Sequence, residues 1–264
     1  MPTTDIFTAS PLREQRAGGV LHLYCLPYAG GSARVFNAWQ QLFHPEIRIV
    51  SIDYPGRGTR IHEPLLDQVS QIADEIADTI AAERHARYAL FGHSMGSIVA
   101  FETCHRLACL GGSQPELLVV SGHRGPNLPR RSPLMHAVSD ERFIAYLGEL
   151  GATPPDVIAT DELMELFLPI LRADFRACET YEPNPDRKLR VPMAVYGGLS
   201  DADVDGGALR GWQHETTGPC VVRLFPGGHF FIRDHAAIVT ATLQRDLREM
   251  SAGSHGTGDS NRRH

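Results

Sequence analysis

The residue types best suited to chemistry lie in the pentapeptide GHSMG at positions 92–96, which has the pattern Gly-x-Ser-x-Gly. It follows an apolar run at 88–91 and precedes a stretch of helical periodicity, the strand–turn–helix setting of a nucleophilic serine. A sharp turn there holds Ser94 in strained backbone geometry, and Gly92 and Gly96 remove Cβ atoms that would clash with neighbouring elements. The start of the helix adds partial positive charge where an oxyanion would form. The pattern therefore predicts Ser94 as a nucleophile that attacks an activated acyl group.

A serine hydroxyl needs a general base, and the base needs an acid that orients it. With this type of turn, the chain order is serine, then Asp or Glu, then His, each just past the end of a strand. Asp201 follows the apolar run 191–196, and His229 follows the run 221–225. We predict that His229 acts first as base and then as acid, and that Asp201 orients its imidazole and stabilises the charged form.

Some neighbouring residues offer alternatives to this assignment. Asp203 and Asp205 share the loop with Asp201, and each could be the acid. His235 lies six residues after the predicted base, and we expect it to be a surface histidine. We expect His93, next to the nucleophile, to pack or to form hydrogen bonds locally.

The predicted reaction also needs two backbone N–H donors for the oxyanion. One is expected from Met95, directly after the nucleophile. The other is expected from the loop LPYAGGS at 26–32, where we choose Ala29 because the Gly-Gly turn can bring backbone close to the reacting carbonyl. The alternative is a glycine-rich turn that only reverses the chain. No Gly-Lys-Ser/Thr follows, so the loop is not a P-loop.

Elements able to position these residues alternate along the chain. Short apolar runs rich in β-branched or aromatic residues predict buried strands at 20–26, 47–52, 88–91, 117–121, 191–196 and 221–225. Helical patterns lie between them, such as 69–83, where Ile72, Ile76 and Ile80 recur every four residues. This alternation predicts an α/β fold with a mostly parallel central sheet and helices on both faces.

One segment breaks the alternation. After a Pro- and Arg-rich loop, helical patterns follow Ser139 and Thr160, and we interpret them as a helical lid inserted between late strands. The predicted division is an N-terminal extension at 1–18, a core at 19–122 and 186–250, the lid at 123–185, and a disordered tail at 251–264.

Composition excludes several other classes. The chain of 264 residues is 42% hydrophobic, with a net charge of 25 − 31 = −6, which argues against nucleic-acid binding. It has no apolar stretch long enough to span a membrane, and its first residues do not look like a secretory signal. The five cysteines form no Cys-x-x-Cys pair, and the thirteen histidines form no cluster at ligand spacing, so we predict reduced thiols, no metal and a cytoplasmic location.

Five motifs together resemble the type II thioesterases, which accompany polyketide synthases and nonribosomal peptide synthetases. They are LPYAGGSA at 26–33, DYPGRGTR at 53–60, GHSMG at 92–96, YGGLSD at 196–201 and FPGGHFFI at 225–232. The lid stretch at 162–181 is similar too, and the resemblance spans about 18–245 in consistent order. It implies the α/β-hydrolase fold, the triad Ser94, Asp201 and His229, and the oxyanion donors Ala29 and Met95.

The resemblance also implies a function. Such enzymes cleave acyl groups from the 4′-phosphopantetheine thiol of acyl or peptidyl carrier proteins, usually to remove stalled units. The substrate brings the phosphopantetheine, so we expect no cofactor, and we expect a monomer whose partners are carrier proteins, with no nucleic acid and no membrane. The alternatives are a carboxylesterase or lipase for small esters, a product-releasing thioesterase, and a non-catalytic module that docks carrier proteins.

A basic loop lies at the predicted entrance of the lid. Arg124, Arg130 and Arg131 could meet an acidic carrier protein or the phosphate of its arm, or they could belong to a solvated loop.

Overall fold

A seven-stranded sheet forms the centre of the computed structural model, which describes residues 7–9, 19–129, 133–151, 153 and 155–253. The strands are β1 (Phe7–Ala9), β2 (Leu21–Leu26), β3 (Ile47–Ile52), β4 (Tyr88–His93), β5 (Leu118–Ser121), β6 (Met193–Gly198) and β7 (Cys220–Phe225). Their order is β1-β3-β2-β4-β5-β6-β7, with β1 antiparallel to β3 and every other neighbouring pair parallel. The predicted α/β fold with a mostly parallel sheet is therefore confirmed.

Helices cover both faces of the sheet. They are α1 (Val69–Glu83), α2 (Met95–Cys109), α3 (Asp140–Leu150), α4 (Pro155–Ile158), α5 (Asp161–Glu179), α6 (Gly206–Arg210), α7 (Phe231–Asp234) and α8 (Ala236–Gly253). Side chains of a strand alternate between faces, so in β4 Leu90 packs with α1 and α2, whereas Ala89 and Phe91 pack towards α8. The carboxyl ends of β2, β4, β6 and β7 meet at one edge, and this edge receives the residues predicted to do chemistry.

Both chain ends differ from the sequence-based prediction. Part of the predicted N-terminal extension, Phe7–Ala9, pairs with β3 as an edge strand. The strand was missed because three residues are too few to show an alternating pattern. At the other end, α8 continues to Gly253, so the first three residues of the predicted disordered tail are helical. The rest of that tail lies outside the described residues.

Helices α3, α4 and α5 lie between β5 and β6, inside the range predicted as a lid. They form a separate apolar cluster that includes Phe143, Leu147, Met164 and Leu171. Arg172 of α5 stabilises this unit, because its guanidinium donates to the carbonyl oxygens of residues 136 and 138 at 2.7 and 2.9 Å. That the segment acts as a lid stays a prediction.

Stability is expected to fall as the pH drops below 6.5. Burial, helped by the positive charge of Arg187, lowers the pKa of His105 on α2 to about 4. The unfolded chain therefore binds a proton below pH 6.5 that the folded chain excludes until about pH 4. From pH 7.5 to pH 5 this single histidine should remove about 2 kcal/mol from the free energy of unfolding.

Urea denaturation at the two pH values tests this expectation with His105→Gln. The variant should lose about 2 kcal/mol less than the wild type between pH 7.5 and pH 5. His62→Gln is the matched control for the substitution itself, since His62 is exposed. A pH dependence of His105→Gln equal to that of the wild type would contradict the argument.

Candidate active site

Ser94 stands at the junction of β4 and α2 with φ +54° and ψ −118°. This strained conformation, predicted from the pentapeptide, is confirmed. The turn is tight because backbone crosses backbone: a Cβ on Gly92 would lie 2.0 Å from the carbonyl oxygen of Gly96. A Cβ on Gly96 would lie 2.2 Å from the carbonyl oxygen of Leu26, so neither position tolerates a side chain. The turn therefore sets Ser94 at the start of α2, facing the edge where the strand ends meet.

His229 follows β7, and its Nδ1 lies 2.8 Å from Oδ2 of Asp201, which follows β6. The other oxygen of Asp201 accepts the N–H groups of Asp203 at 3.0 Å and Val204 at 3.2 Å. Because the carboxylate accepts from Nδ1, the imidazole keeps a proton there and leaves Nε2 free to take another. The side chain of Asp201 is 2% exposed and that of His229 is 14% exposed, so this pair is shielded from most water.

Two backbone hydrogen bonds join the loops that carry this pair. Leu199 N donates to Phe225 O at 2.8 Å, and Ser200 N donates to Gly227 O at 2.9 Å. They continue the β6–β7 ladder past its ends, which explains how residues 28 positions apart meet.

The alternative acids occupy other positions. Asp205 caps α6, where its Oδ1 accepts the N–H of Ala208 at 2.7 Å. Asp203 is exposed and lines the cavity described below. His235 is half-buried and outside the cavity lining. Of these residues, Asp201 is the one whose carboxylate is hydrogen-bonded to the imidazole of His229.

His93 lies behind the imidazole of His229. It is fully buried, its Nδ1 is 2.9 Å from Oγ of Ser121, and its ring centroid is 5.3 Å from that of His229. The expected local packing and hydrogen bonding are thus confirmed. Desolvation first, and the nearby charge of His229 second, hold the pKa of His93 well below its usual value. A neutral ring therefore supports the imidazole of His229.

A cavity of about 410 Å³ brings four of the predicted site residues together: Ala29, Ser94, Met95 and His229. Asp201 contacts this group through His229. Residues of the segment inserted between β5 and β6 also line the cavity, among them Met135, Tyr146, Leu150, Phe175 and Cys178. The cavity has a volume in the usual range for small-molecule sites.

Two further lining residues follow the end of β5, and sequence reasoning gives neither of them a part in the reaction. His123 and Arg124, directly after β5, both line the cavity. Nε2 of His123 lies 3.9 Å from Sγ of Cys178, and Trp212 Nε1 donates to the His123 carbonyl at 2.7 Å. In the sequence both residues are marked by their place after a strand end, which puts them on the same edge as Ser94 and Asp201.

The structure describes one of the three arginines of the basic loop. Arg124 donates to the carbonyl oxygen of Pro129 at 2.6 Å while lining the cavity. Arg130 and Arg131 lie outside the described residues. Both alternatives for this loop, a contact with a carrier protein or its arm and a solvated loop, therefore stay predictions.

Two negative findings concern the described ranges alone. They contain no helix that is long and apolar enough to cross a membrane. They also contain no group of three or more His, Cys, Asp or Glu side chains placed to hold a metal ion.

The family model of the thioesterase domain matches residues 21–247, which is most of the chain. The chain belongs to the thioesterase family. It is therefore an enzyme that hydrolyses thioester bonds.

Individual relatives agree with this assignment. This thioesterase is 40% identical over 216 residues to the thioesterase PikA5 of Streptomyces venezuelae, covering 81% of this chain and 76% of that protein. It is 36% identical over 228 residues to the gramicidin S biosynthesis protein GrsT of Aneurinibacillus migulanus, covering 86% and 89%. Among solved structures, the type II thioesterase BorB from the borrelidin biosynthetic cluster matches with a TM-score of 0.81 at 33% identity, covering 94% of this chain and all of that one. The predicted α/β-hydrolase fold and the resemblance to type II thioesterases are confirmed.

Proposed function

We propose that this thioesterase hydrolyses acyl groups from the 4′-phosphopantetheine thiol of acyl or peptidyl carrier proteins. In this role it removes aberrant or stalled units from a polyketide or nonribosomal peptide synthase. The observation that carries the proposal is the single cavity that holds Ser94 and His229, with Asp201 hydrogen-bonded behind the imidazole. Relatives that are named for gramicidin S and borrelidin biosynthesis support the synthase context.

The reaction begins with acylation of Ser94. Nε2 of His229 takes the hydroxyl proton as Oγ attacks the thioester carbon, and the developing oxyanion accepts the N–H groups of Met95 and Ala29. Collapse breaks the carbon–sulfur bond, and the pantetheine thiolate leaves and takes the proton from His229. Because a thiolate is a good leaving group, this step needs less general-acid help than amide cleavage does.

Deacylation repeats the steps with water. His229 removes a proton from the water as its oxygen attacks the acyl-serine, and it returns that proton to Oγ of Ser94 when the ester bond breaks. Asp201 keeps Nδ1 protonated and stabilises the imidazolium in both halves. The products are a free carboxylic acid and a holo carrier protein.

The lining of the cavity supports an acyl group larger than acetyl. Met135, Tyr146 and Phe175 from the inserted segment give it apolar walls, which favour the transfer of methylene groups from water. We further propose that the enzyme acts as a monomer in the cytoplasm, and the absence of any Cys-x-x-Cys pair among the five cysteines of its sequence supports a reducing compartment.

Intact-mass spectrometry of loaded carrier proteins tests the proposal. Holo carrier protein bearing acetyl, propionyl or hexanoyl is incubated with the wild type and with Ser94→Ala. We expect the acyl mass to disappear with the wild type alone, fastest for the longest chain. An acyl mass that persists with both enzymes, together with hydrolysis of simple esters, would favour the alternative of a small-ester carboxylesterase.

A further inference from the structure

The loop expected to donate to the oxyanion is hydrogen-bonded to a residue of the inserted helices. The carboxylate of Asp174, on α5, accepts the backbone N–H of Gly30 at 2.7 Å. Asp174 is completely buried and lies 144 positions from Gly30 in sequence. A buried carboxylate bound to a backbone amide is a strong and directional contact.

Arg57 holds that carboxylate in place. Its Nη2 donates to Oδ1 of Asp174 at 2.7 Å, and its Nη1 donates to the same oxygen that accepts from Gly30. Burial by itself lowers the pKa of Arg57, but the charge and hydrogen bonds of Asp174 outweigh it, so the pKa is raised and the guanidinium stays charged. A bidentate ion pair of this kind fixes both the position and the plane of the carboxylate.

The shape of the loop fits α5 closely. Gly30 has φ +76°, and a Cβ at this position would lie 2.5 Å from Cδ2 of Leu171. Leu171 precedes Asp174 by one helical turn, so both contact the loop from the same side of α5. The loop thus needs glycine at this point for its left-handed backbone and for the close approach of the helix.

The core holds the two ends of the same loop. The hydroxyl of Tyr54 donates to the carbonyl oxygen of Pro27 at 3.0 Å, and Asp53 accepts the N–H of Ala33 at 2.7 Å. Asp53 also accepts from Thr59 N at 2.9 Å, so its carboxylate is itself fixed. The hydrogen bond from Asp174 comes instead from the inserted helices. It holds the middle of the loop at Gly30, next to Ala29.

We propose that Asp174, fixed by Arg57, is a positioning residue that aims the Ala29 N–H at the oxyanion, so that hydrolysis requires α5 to be seated on the core. The inference rests on the proposed function, which assigns the second oxyanion donor to Ala29. An error of about 1 Å in such a group lowers the rate by roughly 100-fold. Because Phe175 and Cys178 on the same helix line the cavity, one element shapes the acyl site and positions the donor.

Two double variants isolate the hydrogen bond to Gly30. Arg57→Met with Asp174→Leu removes the pair and the acceptor without leaving a buried unpaired charge, a replacement that proteins often tolerate. Arg57→Met with Asp174→Asn removes the charges but keeps an oxygen that can accept from Gly30. The substrates are butyryl-N-acetylcysteamine and p-nitrophenyl butyrate, with kcat, KM and melting temperature as readouts.

We expect the leucine variant to lose about 10- to 100-fold in kcat with KM changed less than about threefold, because the lost contact acts in the transition state. The asparagine variant should retain kcat within about fivefold of the wild type. A folded leucine variant with wild-type kcat, or equal losses in both variants, would overturn the proposal. If the leucine variant does not fold, Arg57→Met with Asp174→Ala replaces it, because the smaller side chain also removes the acceptor and takes up less room beside Gly30. A folded alanine variant with wild-type kcat would overturn the proposal equally.

Arg223→Met with Asp246→Leu is the matched control. Asp246 is as buried as Asp174 and pairs with Arg223 at 2.6 Å, far along the chain from the loop. This control should change the melting temperature and leave kcat unchanged. Neither substrate contains a carrier protein, so a wild type that hydrolyses both but leaves acyl carrier protein intact would refute the proposed function and still decide this inference.

Discussion

Replacement of Ser94 by alanine is expected to lower kcat for an acyl carrier thioester by about 10⁴- to 10⁶-fold, the range found when a serine hydrolase loses one of its triad residues. The reason is that Ser94 alone, among the hydroxyl and thiol groups of the described residues that line the cavity, stands on a strained turn at the start of a helix. Single-turnover release of the acyl group, measured by intact mass, checks the rate. Reaction with a fluorophosphonate should add one label to the wild type and none to the variant.

Ser97→Ala is the control for this variant. Ser97 lies one turn further along α2 and is completely buried, and its Oγ is 2.9 Å from the carbonyl oxygen of Ser121 and 3.0 Å from that of Gly92. Its replacement should lower the melting temperature and keep kcat within about tenfold of the wild type, because it removes hydrogen bonds but no reacting atom. Covalent labelling of Ser94→Ala, or a Ser97→Ala variant as slow as Ser94→Ala, would contradict the assignment.

The second large effect is expected from Asp201→Asn, which should lower kcat by about 10⁴-fold with little change in folding. An asparagine amide that faces Nδ1 of His229 favours the tautomer whose Nε2 already carries a proton, and the base is then blocked. The carboxamide oxygen can still accept from Asp203 N and Val204 N, so the loop should keep its shape. Steady-state kinetics with butyryl-N-acetylcysteamine measure the loss of kcat, and urea denaturation measures any change in folding stability.

The neighbouring carboxylates provide the comparison. Asp203→Asn changes an exposed residue at the cavity and should alter kcat by less than about threefold. Asp205→Asn keeps a good helix cap on α6, so activity should stay close to that of the wild type. If kcat fell as far in Asp203→Asn or Asp205→Asn as in Asp201→Asn, the assignment of Asp201 as the acid would be contradicted.

The residues of the candidate active site could be located from the sequence because each lies at the end of a strand with a local signal. The pentapeptide around Ser94 combines glycines that the crossing backbones require, and Asp201 and His229 each follow a buried apolar run. Parallel strands deliver their carboxyl ends to one edge, so local patterns were sufficient to bring these residues together. The structure adds the hydrogen bond between His229 and Asp201, which favours Asp201 over the other two aspartates of its loop.

The contacts around the oxyanion loop were not predictable in this way. Arg57 and Asp174 are 117 positions apart, and neither has a neighbour in sequence that marks a buried charge pair. The apolar periodicity of α5 predicted a helix but not which turn would rest on Gly30. Similarly, β6 begins at Met193, two residues later than predicted, and includes Gly197 and Gly198, because pairing with β7 continues past the apolar run.

The buried pair of Arg57 and Asp174 limits how this enzyme could be re-engineered. The segment inserted between β5 and β6 begins and ends at neighbouring strands, so it could be exchanged between relatives to change acyl preference. A transplanted segment with an apolar residue in place of Asp174 would leave the charge of Arg57 buried and unpaired, at a cost of about 3–5 kcal/mol. Chimaeras should therefore exchange the segment together with the DYPGRG loop that contains Arg57, as one co-inherited unit.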